Sequence, residues 1–153
     1  MTCFSYSNGS FIPSYKAKVS INDRSFHFAD AVYEVVTVYN FRMLFWKDHI
    51  SRLKKSLNQL DLKFKKDLNS LFYKCEELIK RNYLKEGIIY IHISRGIAKR
   101  NHNWSNGIIP SLVISCTNKK TFNINAKKIS LISDDDIRWN NCHIKSVSLL
   151  PNV

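Results

Sequence analysis

Glycine is scarce in this chain, with 4 among 153 residues, and no Gly/Ser linker, low-complexity tract or internal repeat interrupts it. The 4 cysteines, Cys3, Cys75, Cys116 and Cys142, form no CxxC pair and have no metal-ligand spacing. That pattern fits reduced thiols in a cytoplasmic protein. No apolar run is long enough to cross a membrane. The N-terminal "MTCFSYSNGS" has neither the basic nor the apolar region of a secretory signal. Acidic residues are also few: 12 Asp and Glu against 24 Lys and Arg leave a net charge of +12. An excess of this size fits an anionic partner such as nucleic acid. The plainer reading is compositional, because Lys-Lys pairs at 54–55, 65–66, 119–120 and 127–128 are spread along the chain. On that reading nucleic acid is not the expected partner.

The length suits one domain with a real core, and 44% hydrophobic with 24% charged residues is ordinary for a globular protein. "SYSNGSFIP" reads as two short strands around the turn dipeptide Asn8-Gly9. "YEVVTVYN" (33–40) and "MLFW" (43–46) read as a second hairpin with both faces largely covered. Ile50, Leu53, Leu57 and Leu60 recur at helical spacing, with Asp48 near the start of the segment. Leu68, Leu71, Phe72, Cys75, Leu78 and Ile79 repeat the pattern, and Gly87 ends it. "IIYIHIS" (88–94), "SLVISCT" (111–117) and "KISLIS" (128–133) read as strands. Strands, two helices and more strands, joined by short connections, predict an antiparallel α+β fold.

Single residues suggest chemistry only weakly. Lys145 stands beside Ile144 in a stretch short of charge, and partial burial favours a neutral, nucleophilic amine. Most such lysines instead reach solvent. Arg95, Lys99, Arg100 and His102 follow a strand end in "SRGIAKRNHNW". Arg100 has the fork that clamps a carboxylate and His102 adds a donor, while a solvated basic loop is the plainer alternative. Arg52 lies near His49 on a helix that otherwise presents a solvated face. Tyr33 opens an apolar strand, where a core tyrosine is the ordinary finding.

Taken in order, "NGSFIP", "INDRSFHFADAVYEVVTVYN", "FWKDHISRLKKSLNQL", "YIHISRGIAKRNH" and "DIRWNNCHIKSVSLLPN" resemble the class IV (fold-type IV) pyridoxal-phosphate aminotransferases. The similarity is greatest to the D-amino acid branch. The resemblance implies that Lys145 is the lysine that carries pyridoxal 5'-phosphate and that Arg52 contacts the cofactor phosphate. It implies that Tyr33, Arg100 and His102 bind the substrate α-carboxylate. In the family Arg100 and His102 come from a neighbouring subunit, so a homodimer is implied. The substrates implied are a D-amino acid such as D-alanine and a 2-oxo acid. The domain division implied is a small N-terminal domain over 1–120, a linker at 121–129, and the start of the large cofactor-binding domain over 130–153.

The sequence departs from the family at several points. Ala29 and Ala31 replace the glycines of "FGDGVYE", Ser25 replaces a common glycine, and Phe41 replaces a turn glycine. An alanine or phenylalanine at a left-handed backbone position costs stability. Asn141 and His143 stand where the D-amino acid branch usually has Arg and Asp. A family chain also runs on for roughly as many residues again. That part carries the acid facing the pyridine nitrogen and most of the phosphate donors. The expectation is a truncated aminotransferase-like protein, inactive alone unless a second polypeptide supplies that half. The alternative is a non-catalytic remnant.

Overall fold

Asn8 (φ 45°) and Gly9 (φ 122°) take up the left-handed backbone that a two-residue hairpin turn requires. They join β1 (Phe4–Ser7) to β2 (Ser10–Pro13), with Phe4 opposite Pro13 and Ser7 opposite Ser10. After a 3-10 turn at Ser14–Lys16 comes α1 (Arg24–Phe28), 5 residues long and too short for periodicity to reveal. Next are β3 (Ala31–Tyr39), β4 (Arg42–Met43), α2 (Trp46–Gln59), α3 (Ser70–Arg81), β5 (Glu86–Ser94) and β6 (Ser111–Asn118). The structure is a computed structural model and describes residues 3–104, 106–120, 129–135, 139–150 and 153.

The strands form a 6-stranded sheet in the order β2-β1-β6-β5-β3-β4, antiparallel at every pairing. With α2 and α3 on one face, this is the α+β fold the sequence predicts. Period-two alternation sends Val32, Glu34, Val36 and Val38 of β3 to the helical face, where all are fully buried. Leu53 and Leu57 of α2 and Leu71, Cys75 and Leu78 of α3 close over Val36, Ile89, Ile91 and Ile114. Each such leucine or isoleucine contributes about 1.5–3 kcal/mol of burial. Tyr33, Val35 and Thr37 lie on the other face and are only half-buried. The second hairpin is therefore covered on one face, not on both, because all the long helices sit on the same side.

Three further expectations change. Of 43–46, only Met43 lies in a strand: Phe45 turns left-handed at φ 50° and Trp46 already begins α2. Residues 129–133 form no strand. Ile129, Leu131 and Ile132 are 77%, 83% and 94% exposed, so no burial offsets the entropy of ordering them. The basic loop after β5 is not wholly solvated, since Arg95 is buried. Residues 121–128 of the expected linker lie outside the described residues, as does residue 128 of the expected strand.

The departures from the family's glycines fall in two classes. Ala29 caps α1 at φ 52° and Phe41 sits in the β3–β4 turn at φ 63°, both left-handed. Ala31 is fully buried in ordinary strand backbone, and Ser25 lies inside α1.

Candidate functional site

β4 pairs with β3 only at Val38 and Tyr39, which leaves the Ala31–Tyr33 end of that edge open. The segment 144–147 fills it. Tyr33 N–H donates to the Lys145 carbonyl (3.1 Å), Val147 N–H donates to the Ala31 carbonyl (3.2 Å), and Ser146 bridges Val32. Lys145 N–H donates to Ser56 Oγ of α2 at 3.1 Å, and Ile144 packs on the core. Backbone pairing thus sets the height of Lys145 along β3. Its Nζ lies 3.9 Å from the centre of the Tyr33 ring, a cation–π distance. The two residues are half-buried.

The Tyr33 ring is 5.6 Å from that of Tyr90, on the adjacent strand. The Tyr90 hydroxyl lies 3.1 Å from His92 Nδ1. Burial, and then the neighbouring Tyr33, push the Tyr90 hydroxyl above its ordinary value. Burial holds the His92 imidazole below its ordinary value, against a pull upward from Asp23. The open sheet face beside Lys145 is therefore aromatic and polar.

On the helical face, Arg52 and His49 meet Glu34. Arg52 donates through Nε to Oε1 (2.7 Å) and through Nη2 to Oε2 (2.6 Å), while His49 Nδ1 lies 2.8 Å from Oε2. The Glu34 side chain is 0% exposed and that of Arg52 is 51% exposed. The paired carboxylate raises the Arg52 guanidinium above its ordinary value. Arg52 is thus oriented by a fork–fork pair with a buried acid. Among the described residues Nη1 makes no hydrogen bond, so one donor edge stays open. Lys145 Nζ likewise has no carboxylate partner among them. A free amine and a guanidinium held with one edge open fit a phosphorylated aldehyde cofactor such as pyridoxal 5'-phosphate.

Arg100 and His102 sit elsewhere, on the exposed loop after β5. The Arg100 guanidinium and the His102 ring lie 5.3 and 5.4 Å from the Phe28 ring. The fold therefore brings Lys145 and Tyr33 together, ties the Lys145 backbone through Ser56 to the helix that carries Arg52, and holds Arg100 and His102 on a separate loop. Sequence reasoning missed Glu34. Its signal was an acid on the buried period of an apolar strand, where only a paired carboxylate survives.

A family model described as amino-transferase class IV matches residues 31–153. The D-alanine aminotransferase of Staphylococcus aureus (strain MSSA476) is 32% identical over 148 residues, covering 95% of this chain and 52% of that protein. The D-alanine aminotransferase of Bacillus licheniformis is 33% identical over 147 residues, with shares of 95% and 52%. The branched-chain amino acid aminotransferase of Escherichia coli shares the fold, with a TM-score of 0.72 at 20% identity over 78% of this chain and 42% of that one. The 4-amino-4-deoxychorismate lyase of Pseudomonas aeruginosa shares it at a TM-score of 0.62 and 18% identity, over 78% and 41%. The chain belongs to the class IV aminotransferase family. It spans about half the length of the curated relatives it matches.

Proposed function

We propose that this chain provides the lysine-bearing half of a pyridoxal-phosphate aminotransferase site that moves an amino group between a D-amino acid such as D-alanine and a 2-oxo acid. The observation that carries the reading is the Lys145 amine, free of any carboxylate among the described residues and set against Tyr33, in a chain of this family. Pyridoxal phosphate, when bound, supplies the electron sink for the α-carbanion. Lys145 would hold it, and Nζ of Lys145 would take the proton from the substrate α-carbon. Arg52, held by Glu34, binds the phosphate through its open edge. The Tyr33 hydroxyl meets one side of the substrate carboxylate. Arg100 and His102 meet it from a neighbouring subunit of a homodimer, which fits their place on a separate loop. A carboxylate fixed in this way decides which α-substituent faces Lys145 and so selects the hand of the amino acid. The preference for the D series rests on the two D-alanine aminotransferase relatives.

The chain alone is proposed to be inactive, because it spans about half of those relatives. The test is pyruvate formation from D-alanine with a 2-oxo acid, pyridoxal phosphate and a polypeptide matching the unmatched half of a relative. Turnover with the added half and none without it is expected. A second reading, a folded domain without catalysis, draws on Ala29 and Phe41 at left-handed positions where a side chain is strained. No turnover in the complemented mixture favours that reading.

A further inference from the structure

We propose that Arg24 is a positioning residue that, with Asp30 and Arg95, clamps the loop presenting Arg100 and His102. The functional meaning of the clamp rests on the carboxylate-binding role proposed above for those two residues. The Arg24 side chain is 4% exposed, and that of Arg95 is 7% exposed. Both donate through Nε to the same Asp30 oxygen, at 2.7 and 2.8 Å. The Arg24 fork then reaches forward: Nη1 donates to the Asn101 carbonyl at 2.7 Å and Nη2 to the His102 carbonyl at 3.3 Å. Arg24 N–H donates to the Gly96 carbonyl at 2.9 Å. One residue therefore grips the loop near its start and at the two peptides after Arg100.

Arg95 fixes the other side by donating to the Leu60 carbonyl (2.7 Å) and the Asp61 carbonyl (3.0 Å). Its guanidinium lies 4.1 Å from the Trp104 ring. Phe28 sits between the clamp and the site residues, 4.7 Å from the Arg24 guanidinium and in contact with both Arg100 and His102. Gly96 closes the base of the loop: a Cβ there would meet the Ile109 carbonyl oxygen at 2.0 Å. Lysine cannot replace Arg24, because a single ammonium lacks the planar fork that serves a carboxylate and two successive carbonyls together. Two buried guanidinium groups thus spend donors on loop backbone and on one shared acid. This is how a loop is made rigid without a strand or a helix.

The test is limited trypsin digestion of the native chain and of Arg24→Lys. Cleavage after Lys99 and Arg100 is compared with cleavage after Lys65 and Lys66, which are exposed and lie on another loop. In Arg24→Lys the ratio is expected to rise about tenfold, since cleavage of a native loop follows its local opening. An unchanged ratio, or an equal rise at both loops, overturns the clamp. If the variant does not fold, nitrogen-15 spectra of the wild-type guanidinium groups decide. Hindered, separately resolved Nη resonances are expected for Arg24 and Arg95, and freely rotating groups overturn the clamp. Protection of the Arg100–Asn101 bond by D-alanine with pyridoxal phosphate reads the carboxylate role. The half-protecting concentration is expected to rise in Arg24→Lys, and an equal value in both proteins overturns the positioning role. With the complementing half present in the mixture, failure of D-alanine to protect the wild type instead overturns the role of Arg100 and His102, and leaves the cleavage ratio to decide the clamp.

Discussion

The Lys145 amine and the Tyr33 ring meet at 3.9 Å because their backbones are paired, not because their side chains reach for each other. The pairing depends on the Val147 N–H that donates to Ala31. Val147→Pro removes that donor. It is expected to cost about 1–3 kcal/mol and to move Lys145 off Tyr33. Thermal unfolding and the tyrosine ring-current shift of the Lys145 methylene protons check this, and wild-type shifts in the variant would contradict it.

Glu34 is buried with Arg52 and His49 as its partners. Arg52→Met leaves that carboxylate with His49 alone, and a loss of about 2 kcal/mol is expected, because an uncompensated buried charge is costly. Arg52→Met/Glu34→Leu is expected to recover part of the loss. Denaturant midpoints of the single and double variants measure the coupling, and simple additivity would count against a paired buried acid.

Ala29 holds φ 52° at the end of α1. Ala29→Gly relieves a left-handed backbone and is expected to stabilise the chain by about 1 kcal/mol. Phe41, at φ 63°, is different, because its ring also meets Tyr83 at 5.1 Å. Phe41→Gly therefore gains backbone freedom and loses a contact, and its expected gain in thermal midpoint is smaller than that of Ala29→Gly.

Acid should weaken the fold in two steps. His92 is held below its ordinary 6.5 by burial, so the unfolded chain binds this proton more readily than the native one. Stability therefore falls as pH drops through 6.5 towards the folded value. Burial pushes the Asp23 carboxyl up, but hydrogen bonds from Ser25, Ser94 and Ser111 outweigh it and hold the group below 3.8. Its contribution is present above 3.8 and lost as pH falls through the folded value. Urea midpoints against pH should show both steps, with His92→Gln removing the first and Asp23→Asn the second.

Burial pushes the thiols of Cys75 and Cys116 up to about 12, whereas Cys3 and Cys142 are exposed. A thiol reagent at neutral pH is expected to modify Cys3 and Cys142 in the native chain, and Cys75 and Cys116 only on unfolding. Prompt labelling of Cys116 would contradict the packing of β6.

Much of this was legible in the sequence, for physical reasons that can be named. The Asn8-Gly9 hairpin and both long helices follow from turn chemistry and apolar spacing, which are local. Lys145, Tyr33 and Arg52 became site candidates only as parts of an ordered set of motifs, through the family resemblance. The Glu34 pair and the Arg24–Asp30–Arg95 cluster join residues far apart in the chain, so no local pattern marks them. The 129–133 segment shows the reverse failure: an apolar alternation without a partner edge makes no strand.

The most direct test of the proposed site is to mix the chain with substoichiometric pyridoxal phosphate, reduce with borohydride, and map the pyridoxyl group by mass spectrometry. The account predicts that Lys145 is labelled in preference to the other lysines, and that Arg52→Met lowers the preference. Labelling spread over surface lysines, with no excess at Lys145, would contradict it.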